Sequence, residues 1–450
     1  MHFRTAGPAF LIYVLATTPA IRAQQPSLDA QIDRQLPTLV TTYKALHAAP
    51  ELSHQEARTS ALLAAELRSL GFTVTEHVGR YPTPGLVGYG VVAVLRNGAG
   101  PTVLVRTDLD ALPVEEKTGL AYASQVREKN DAGVDSPVMH ACGHDIHITS
   151  LIGTARMLTQ LKGQWHGTLV LIGQPAEETI DGARAMLADS LYTRFPKPDF
   201  AIALHDTGDL PTGKVSYTSG YALASSTSVD ILVRGIGGHG ARPEKSKDPV
   251  VLSAQIILAL QTIVSREIAP LDAAVVTVGT IHGGTKRNII PDEVLLQLTV
   301  RAYKEEVRQH LLSSIARIAR GTAIAAGIPD ERAPVVTVSA TEIAPATYND
   351  PALSERMAAT FISALGAGNV IKADPVMGSE DFGNFGLEGH QIPTFMFFVG
   401  ATAPELLEES ARTGVPVPNL HSALFAPVPA TTIRTGIKAM TSAVLELMKR

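Results

Sequence analysis

The chain has 450 residues, of which 45% are hydrophobic and 18% charged, so it is long enough for two or three domains with large cores. Its formal net charge is only -5 at pH 7 and its basic residues are scattered, which argues against a nucleic-acid-binding surface. The single cysteine excludes an internal disulfide.

The N-terminal stretch MHFRTAGPAFLIYVLATTPAIRAQQP differs in composition from the rest of the chain. His2 and Arg4 give it a cationic start, and an apolar run from Ala9 to Ala16 precedes small residues such as Ala23. The run is short for a membrane span and matches a secretory signal. We expect a signal peptide at residues 1–23 and export to the periplasm or the medium; the alternative is an uncleaved anchor. No later segment is expected to span a bilayer.

Helical patterns and short apolar runs alternate in the first half of the mature chain. The segment from Leu28 to Phe72 predicts two helices, of which the second begins near Ser53 and ends at Gly71. The apolar runs VVAVLR, TVLVRTD, TLVLIGQ and FAIALHD are then separated by helical segments such as HITSLIGTARMLTQL and DGARAMLADSL. This pattern predicts an α/β fold whose mixed sheet has a parallel portion and is covered by helices.

The pattern changes near Ala222, where SSTSVDILVRG alternates as a half-exposed strand does. A helix, two strands, a second helix and a last strand follow. The order β-α-β-β-α-β is typical of the ferredoxin-like fold. We therefore predict an inserted ferredoxin-like α+β domain at residues 222–343, and a main domain formed by residues 24–221 and 344–450.

Acidic residues or a histidine follow three of the predicted strands. TVLVRTDLDALP ends its strand in Asp108 and Asp110, TLVLIGQPAEE in Glu177 and Glu178, and FAIALHD in His205 and Asp206. In open α/β sheets, ligands bind beyond the carboxyl ends of the strands. Each residue alone has a structural explanation, such as a solvated turn or a cap. Their matching positions after apolar strands favour a shared site instead.

The segment PVMHACGHDIH adds Cys142 and His144 to these candidates. A lone cysteine more often fills a core, but thiolate, imidazole and carboxylate together suit zinc or a similar divalent metal. Side chains of adjacent residues in an extended segment point apart. One glutamate of the pair could therefore bind metal while the other serves as general base.

Nine stretches, in chain order, resemble the M20 metallopeptidase family, in the amidohydrolase branch that includes hippurate hydrolases, N-acyl-amino-acid aminoacylases and plant auxin-conjugate hydrolases. The resemblance runs from about residue 40 to the end of the chain. It implies a di-metal catalytic domain and a homodimer in which the inserted domain is the lid and dimerisation domain. The stretches are RTDLDALPVEE, VMHACGHDIH, GQPAEE, GARAML, ALHD, GIGGHGARPE, GGTKRNIIPDEV, GSEDFGNF and LHSALFAP.

The resemblance also implies roles for individual residues. Glu177 would be the general base, and Asp108 would orient a metal ligand. His239 and Asn288 would be lid residues that reach the substrate, with His239 acting on the partner's site. Two divalent metals per subunit are implied, Zn²⁺ or Mn²⁺, with Co²⁺ and Ni²⁺ left open. Their implied ligands are Cys142, His144, Glu178, His205 and His421.

We expect a metal-dependent amidohydrolase that cleaves N-acyl amino acids or similar small amide conjugates with metal-activated water. The alternatives are a secreted dipeptidase or carboxypeptidase of the same family, a non-catalytic binding protein on the same scaffold, and a cysteine hydrolase with Cys142 as nucleophile. The expected partner is a small amide or short peptide, with no nucleic acid and no membrane beyond the signal segment. The segment ASQVREKNDAGVDSP is longer than in many relatives and is expected to reshape the pocket rim.

Overall fold

The computed structural model describes residues 1–3 and 27–449, so the predicted signal peptide lies outside the described residues except for its first three positions. The helices of the described part follow the predicted alternation with strands. They are α1 (Leu28–His47), α2 (Ala57–Ser69), α3 (His144–Gln160), α4 (Gly182–Ala188), α5 (Leu191–Arg194), α6 (Pro249–Thr262), α7 (Glu305–Ala325), α8 (Pro351–Leu365), α9 (Pro404–Thr413) and α10 (Pro429–Leu447).

The strands of the described part form one large sheet, one four-stranded sheet and several short pairs. They are β1 (Thr73–Val78), β2 (Gly90–Asn97), β3 (Thr102–Asp108), β4 (Arg127–Lys129), β5 (Asp135–Pro137), β6 (Gly167–Gln174), β7 (Phe200–Pro211), β8 (Val215–Tyr217), β9 (Gly220–Leu223), β10 (Ser225–Arg234), β11 (Gly238–His239), β12 (Ala274–Gly283), β13 (Ile289–Ile290), β14 (Glu293–Ala302), β15 (Val335–Ala344), β16 (Thr347–Asn349), β17 (Val370–Lys372) and β18 (Thr394–Thr402).

The large sheet has the strand order β1-β2-β6-β3-β7-β18-β8-β17. Its central strands β6, β3, β7 and β18 run parallel, and β1 and β2 pair antiparallel with their neighbours. Strand β8 pairs antiparallel with β18 and parallel with β17. Helices α1, α2, α3, α8 and α10 pack against one face, and α4 and α5 pack against the other. Because both faces are covered, every residue of β6 is buried. The predicted mixed sheet covered by helices is confirmed.

The four-stranded sheet has the order β12-β14-β10-β15 and is antiparallel throughout. Helices α6 and α7 supply the other half of its core. The chain order β10-α6-β12-β14-α7-β15 is the predicted ferredoxin-like arrangement. The limits of this inserted domain at residues 222 and 343 stay a prediction.

The start of α2 differs from the prediction. The helix begins at Ala57, with Glu56 before it, rather than near Ser53. The Ser53 hydroxyl instead donates a hydrogen bond to Oδ2 of the buried Asp110, at 2.6 Å. Ser53 therefore joins the segment before α2 to the candidate site, a long-range role that cannot be read from helix-capping signals.

The expectation that no later segment is long and apolar enough to span a bilayer is wrong. One helix of the described part meets both criteria. Among the described residues, Pro249–Glu267, which is α6 and its π-helical continuation, has 19 residues and a mean hydropathy of 1.4. Its buried side, including Leu252 and Ile256, lies in the core of the four-stranded sheet. A core helix of a soluble protein meets the same criterion, so this stretch is weak evidence for a membrane span. Its outer side keeps apolar residues exposed, for example Leu258.

Candidate active site

The residues singled out after the strands converge because their strands are neighbours. Asp108 is the last residue of β3, Glu177 and Glu178 lie in the turn after β6, and His205 lies within β7. These strands run parallel and adjacent in the large sheet. Their carboxyl ends therefore share one edge, and α3 begins at that edge with His144.

A glycine lets the chain pass close to a carboxylate at the start of α3. Gly143 has φ 72°, and a Cβ there would lie 2.2 Å from Oδ2 of Asp206. Only glycine combines this left-handed backbone with so close an approach at low cost. The passage positions Cys142 and His144 on either side of Gly143. The Cys142 Sγ lies 3.5 Å from Nε2 of His205.

Two histidines are oriented with their Nε2 atoms free to act as ligands. Nδ1 of His144 lies 2.8 Å from the backbone oxygen of Asp110, and Nδ1 of His205 lies 2.6 Å from that of Asp206. A carbonyl oxygen can only accept, so each Nδ1 carries the proton and each Nε2 carries a lone pair. Nε2 of His144 is buried and has no hydrogen-bond partner in the described part of the chain.

His147, the third histidine of the motif, has both ring nitrogens occupied. Its Nδ1 lies 2.7 Å from Oδ1 of Asp108. Its Nε2 accepts a hydrogen bond from the backbone N–H of Asp206, at 2.9 Å. His147 therefore joins the Asp108 carboxylate to the backbone of Asp206, and it has no free lone pair like that of His144.

The glutamate pair and His421 complete the cluster. Nε2 of His144 lies 3.7 Å from carboxylate oxygens of both Glu177 and Glu178, and Nε2 of His421 lies 3.7 Å from Oε2 of Glu178. The His421 side chain is 59% exposed, and its backbone N–H donates to the oxygen of Ala141 at 2.7 Å. All five residues expected to bind metal thus lie in one cluster.

The donor set fits two divalent metals. Cys142, His144 and His205 offer ligand atoms within 4.8 Å of one another, and so do Cys142, Glu178 and His421. The two groups share Cys142. Oε1 of Glu178 is also buried without a hydrogen-bond partner among the described residues, which is expected of a carboxylate oxygen that binds a cation. Sulfur, imidazole and carboxylate donors in this arrangement suit a dinuclear centre.

The electrostatic surroundings of Glu177 and Glu178 affect their pKa values differently. Burial, with the charges of Glu380 and Glu178, raises the pKa of Glu177 well above its ordinary range. Burial also raises the pKa of Glu178, but nearby His144 opposes this and the pKa is about 7. A carboxylate with a raised pKa is a better proton acceptor, which suits Glu177 as a general base.

The thiol of Cys142 is not set up as a nucleophile. Burial, together with Glu178 and Glu177, raises the pKa of Cys142 well above that of a free thiol. Reactive cysteines instead have lowered pKa values in electropositive surroundings. The setting therefore argues against the cysteine-hydrolase alternative, whereas a bound cation would stabilise the thiolate as a ligand.

The sequence interpretation missed the role of Arg106, a fully buried arginine in the middle of β3. Its guanidinium donates to Oδ2 of Asp108 at 2.6 Å, to Oε1 of Glu380 at 2.7 Å and to the Gln174 side chain at 2.9 Å. Burial would raise the pKa of Asp108, but His144, His147 and Arg106 hold it well below its ordinary value. An arginine inside the apolar run TVLVRTD was the available signal, because a buried arginine needs carboxylate partners.

His239 and Asn288 lie apart from this cluster. His239 is in β11 and Asn288 precedes β13, so the two lie side by side, and the N–H of Gly240 donates to the oxygen of Asn288 at 2.9 Å. Both are exposed. Neither is among the described residues that line the cavity over the candidate ligands. The chain's own fold does not bring them to its metal cluster.

The cluster lies in a cavity of about 1370 Å³ whose walls come from both the large sheet and the inserted domain. The main domain contributes Cys142, Glu177 and His421 to the lining, and the inserted domain contributes Thr299 and Arg301. Of the described residues in the lining, Arg301 is the only arginine or lysine. A cavity that joins a candidate metal cluster to polar walls can hold a small polar substrate.

Comparison with known proteins agrees with this geometry. Residues 104–412 match peptidase family M20/M25/M40. The chain is 36% identical over 342 residues to a hippurate hydrolase of Campylobacter jejuni, covering 76% of this chain and 82% of the relative. It is 34% identical over 390 residues to thermostable carboxypeptidase 1 of Saccharolobus solfataricus, covering 86% of this chain and 90% of the relative.

A solved structure shares the fold. A dinuclear metal-binding peptidase of the M20 family from Bacillus subtilis superposes with a TM-score of 0.71 at 27% identity, covering 92% of this chain and 98% of that one. The family match, the relatives and the cluster of metal-binding side chains point the same way. The chain belongs to peptidase family M20/M25/M40, and it is a metal-dependent hydrolase of amide bonds.

Proposed function

We propose that the chain hydrolyses the amide bond of N-acyl amino acids or similar small amide conjugates. The observation that carries the proposal is the convergence of Glu177 with the candidate ligands in one cavity. The relatedness to a hippurate hydrolase supports an N-acyl amino acid as substrate. The relatedness to a carboxypeptidase supports a peptide as the second candidate substrate.

Each residue of the cluster has a distinct task in this proposal. Two divalent metals would polarise the amide carbonyl and activate the attacking water. They would be held by Cys142, His144, Glu178, His205 and His421. Glu177 takes the proton from the attacking water and passes it to the leaving amine. Asp108, fixed by Arg106 and His147, keeps a negative charge 3.7 Å from Nε2 of His144, where it would stabilise a cation bound by that nitrogen.

Arg301 supports a substrate that carries a carboxylate. It is the only arginine or lysine in the described cavity lining, and its Nη1 donates to the backbone oxygen of Met377 at 2.8 Å, which fixes its position. A guanidinium matches a carboxylate in charge and geometry. Both an N-acyl amino acid and the C-terminal residue of a peptide present such a carboxylate, so Arg301 fits both candidate substrates.

We assign Zn²⁺ or Mn²⁺ as the metal, with Co²⁺ and Ni²⁺ as further candidates. Cysteine and histidine donors favour zinc, whereas a set richer in carboxylates would favour manganese. Metal analysis of protein purified without added chelator, followed by reconstitution with each ion, separates these candidates. A chain that binds none of them would contradict the proposal.

A turnover screen tests the substrate. Metal-reconstituted enzyme is offered N-acetyl, N-benzoyl and longer N-acyl amino acids together with dipeptides, and a chelator is added as a control. We expect the N-acyl amino acids to give the higher kcat/KM and the chelator to abolish turnover. Faster hydrolysis of dipeptides would favour the peptidase. Turnover unaffected by a chelator would contradict metal catalysis.

We further propose a homodimer in which His239 reaches the partner's active site. Support comes from the exposure of His239 and Asn288, which lie outside their own chain's cavity lining. The inserted domain also has the features of a docking face. Strand β12 is an edge strand with Ile281 exposed, and the neighbouring α6 exposes Val251 and Leu258.

We also propose that the protein is exported through residues 1–23. The support is the cationic start, the apolar run and the small residues before Gln24. N-terminal sequencing of secreted material should begin near Gln24. A mature cytosolic chain that keeps Met1 would contradict export.

A further inference from the structure

The expected rim segment forms a hairpin that contributes one residue to a wall of the cavity. Strands β4 and β5 pair between Arg127 and Pro137. In the turn between them, the Asn130 Oδ1 accepts hydrogen bonds from the backbone N–H groups of Ala132 and Val134, at 3.1 and 3.0 Å. The tip is therefore an ordered turn, and its Asp131 lines the same cavity as Glu177.

A buried histidine ties this tip to the catalytic turn. Nδ1 of His54 lies 2.7 Å from Oδ2 of Asp131, and Nε2 lies 3.2 Å from Oδ1 of Asp181. Carboxylates accept, so His54 serves both as a doubly protonated imidazolium. Burial alone would lower the pKa of His54, but Asp181 and Asp131 raise it to about 9. The link is therefore charged at neutral pH.

Asp181 connects this link to the candidate catalytic pair. It lies three residues after Glu178 in the turn that ends β6, and the Thr179 hydroxyl donates to its Oδ1 at 2.9 Å. Oε1 of Glu56 accepts from the backbone N–H groups of both His54 and Ala176, at 3.0 and 2.8 Å. His54 thus joins the hairpin tip to the turn that carries Glu177.

The same wall has an apolar part. The ring of Tyr81 lies edge-on to His54 with centroids 4.8 Å apart, and Leu86 packs against the cluster that contains Tyr81. Leu86 also lines the cavity. The wall therefore combines an apolar surface with the carboxylates of Asp131 and Asp181.

We propose that Asp131 is a specificity-determining residue, placed by His54, that limits the length and charge of the substrate's acyl group. The inference rests on the proposed function. We place the amino-acid carboxylate at Arg301, the only arginine or lysine in the described lining, and the acyl group on the side of the hairpin. Leu86 favours an uncharged aliphatic or aromatic acyl group there, and the tip sets how long it can be.

Acyl-series kinetics test the inference on the metal-loaded full chain. The substrates share one amino acid and carry acetyl, butyryl, octanoyl or succinyl groups, and the variants are Asp131→Ala and Asp131→Asn. Asp131→Ala should raise the octanoyl-to-acetyl ratio of kcat/KM by about tenfold. Asp131→Asn should raise the succinyl-to-butyryl ratio by about fivefold, because it removes one negative charge.

Two further variants separate specificity from loss of structure. Asp135→Ala is the matched control, since Asp135 pairs with Arg127 on the same hairpin but does not line the cavity in the described chain. It should leave both ratios unchanged. His54→Gln should shift both ratios in the direction of Asp131→Ala and speed amide exchange of residues 127–137. Ratios unchanged in Asp131→Ala, or changed equally in Asp135→Ala, would overturn the inference.

A binding measurement keeps the inference separate from the proposed function. If wild type hydrolyses neither N-acyl amino acids nor dipeptides, the proposed function fails. The wall is then tested with acetohydroxamic and octanohydroxamic acid, which bind a dinuclear metal centre without being hydrolysed. Asp131→Ala should lower the octanoyl-to-acetyl ratio of Kd about tenfold. An unchanged ratio would show that the hairpin does not limit the acyl group.

Discussion

The candidate metal cluster and the His239 corner of the inserted domain, which is His239 with Asn288, both lie in stretches that resemble the M20 family. They differ in how many of their partners the chain itself supplies. In the cluster, buried donors from β3, β7 and α3 meet within one fold. In the corner, His239 and Asn288 are exposed and lie against each other, outside the cavity lining of the described chain. The first group is assembled by the chain's own packing, and the second lies exposed on the surface of the inserted domain.

The difference has a physical basis in what surrounds each group. The cluster is fixed by a buried ion network in which Arg106 binds Asp108 and Glu380, and such a network cannot form until distant segments have folded together. The corner has only two short paired strands and a glycine-rich loop. Residues on such a loop are free to serve a second surface.

Glu177→Gln gives the largest expected effect within the cluster. The amide cannot accept the proton of the attacking water, so kcat should fall by about 10²- to 10⁴-fold while metal content is unchanged. Steady-state kinetics and metal analysis on the same preparation check this. A near-normal kcat would end the assignment of Glu177 as base.

Cys142→Ala is the contrasting change in the same cluster. Loss of the donor shared by both ligand groups should lower metal content and activity together. Metal analysis with kinetics at rising metal concentration measures the effect. Full metal occupancy in an inactive variant would instead revive Cys142 as a nucleophile.

Arg106→Met tests whether the cluster depends on its buried ion network. Removing the cation leaves Asp108, Glu380 and Asp381 without it in a buried site, so the free energy of unfolding should fall by about 3–5 kcal/mol. Arg317→Met, which breaks the exposed pair with Glu267 in the inserted domain, should lower the free energy of unfolding far less, because water and salt screen exposed charges. Denaturant titration of both variants measures this, and equal losses would contradict the contrast.

His239→Ala tests the corner. If His239 donates a hydrogen bond to the developing oxyanion, kcat should fall by about 10²- to 10³-fold with metal content unchanged. Mixing His239→Ala with Glu177→Gln chains then decides where it acts. Action on the partner's site leaves one intact site in a mixed dimer, so activity returns. If mixed dimers form and no activity returns, His239 does not act in trans.

The smallest effect concerns the hairpin beside the cluster. The pKa of His54 rises from an ordinary 6.5 to about 9 in the folded chain, so it binds a proton more tightly there. Its stabilisation is complete below about pH 6.5 and disappears as pH rises through about 9. The difference in unfolding free energy between wild type and His54→Gln should therefore shrink between about pH 6 and about pH 10. A difference that does not change with pH would show that the charge of His54 does not stabilise the folded chain.

The sequence predicted the parts of the site that depend on local order. Strand ends and the Cys142 motif located the candidate ligands, because parallel neighbouring strands end at one edge. Arg106 was missed as a site residue because its partner Glu380 lies 274 residues away. The same reason hid the contact of His54 with Asp131, 77 residues apart. The length and hydropathy of α6 were underestimated, because the helix continues as a π-helix to Glu267 and the whole stretch has a mean hydropathy of 1.4.

The close passage of Gly143 past Asp206 makes these two positions interdependent in any redesign of the centre. The Asp206 carboxylate occupies the volume where a side chain at position 143 would begin. Moving the donor of Cys142 one residue along the chain is therefore incompatible with the fold. A side chain at position 143 would also have to adopt the left-handed backbone at φ 72°, so shortening residue 206 does not by itself remove the strain. Shortening residue 206 also removes the carboxylate that contacts His147.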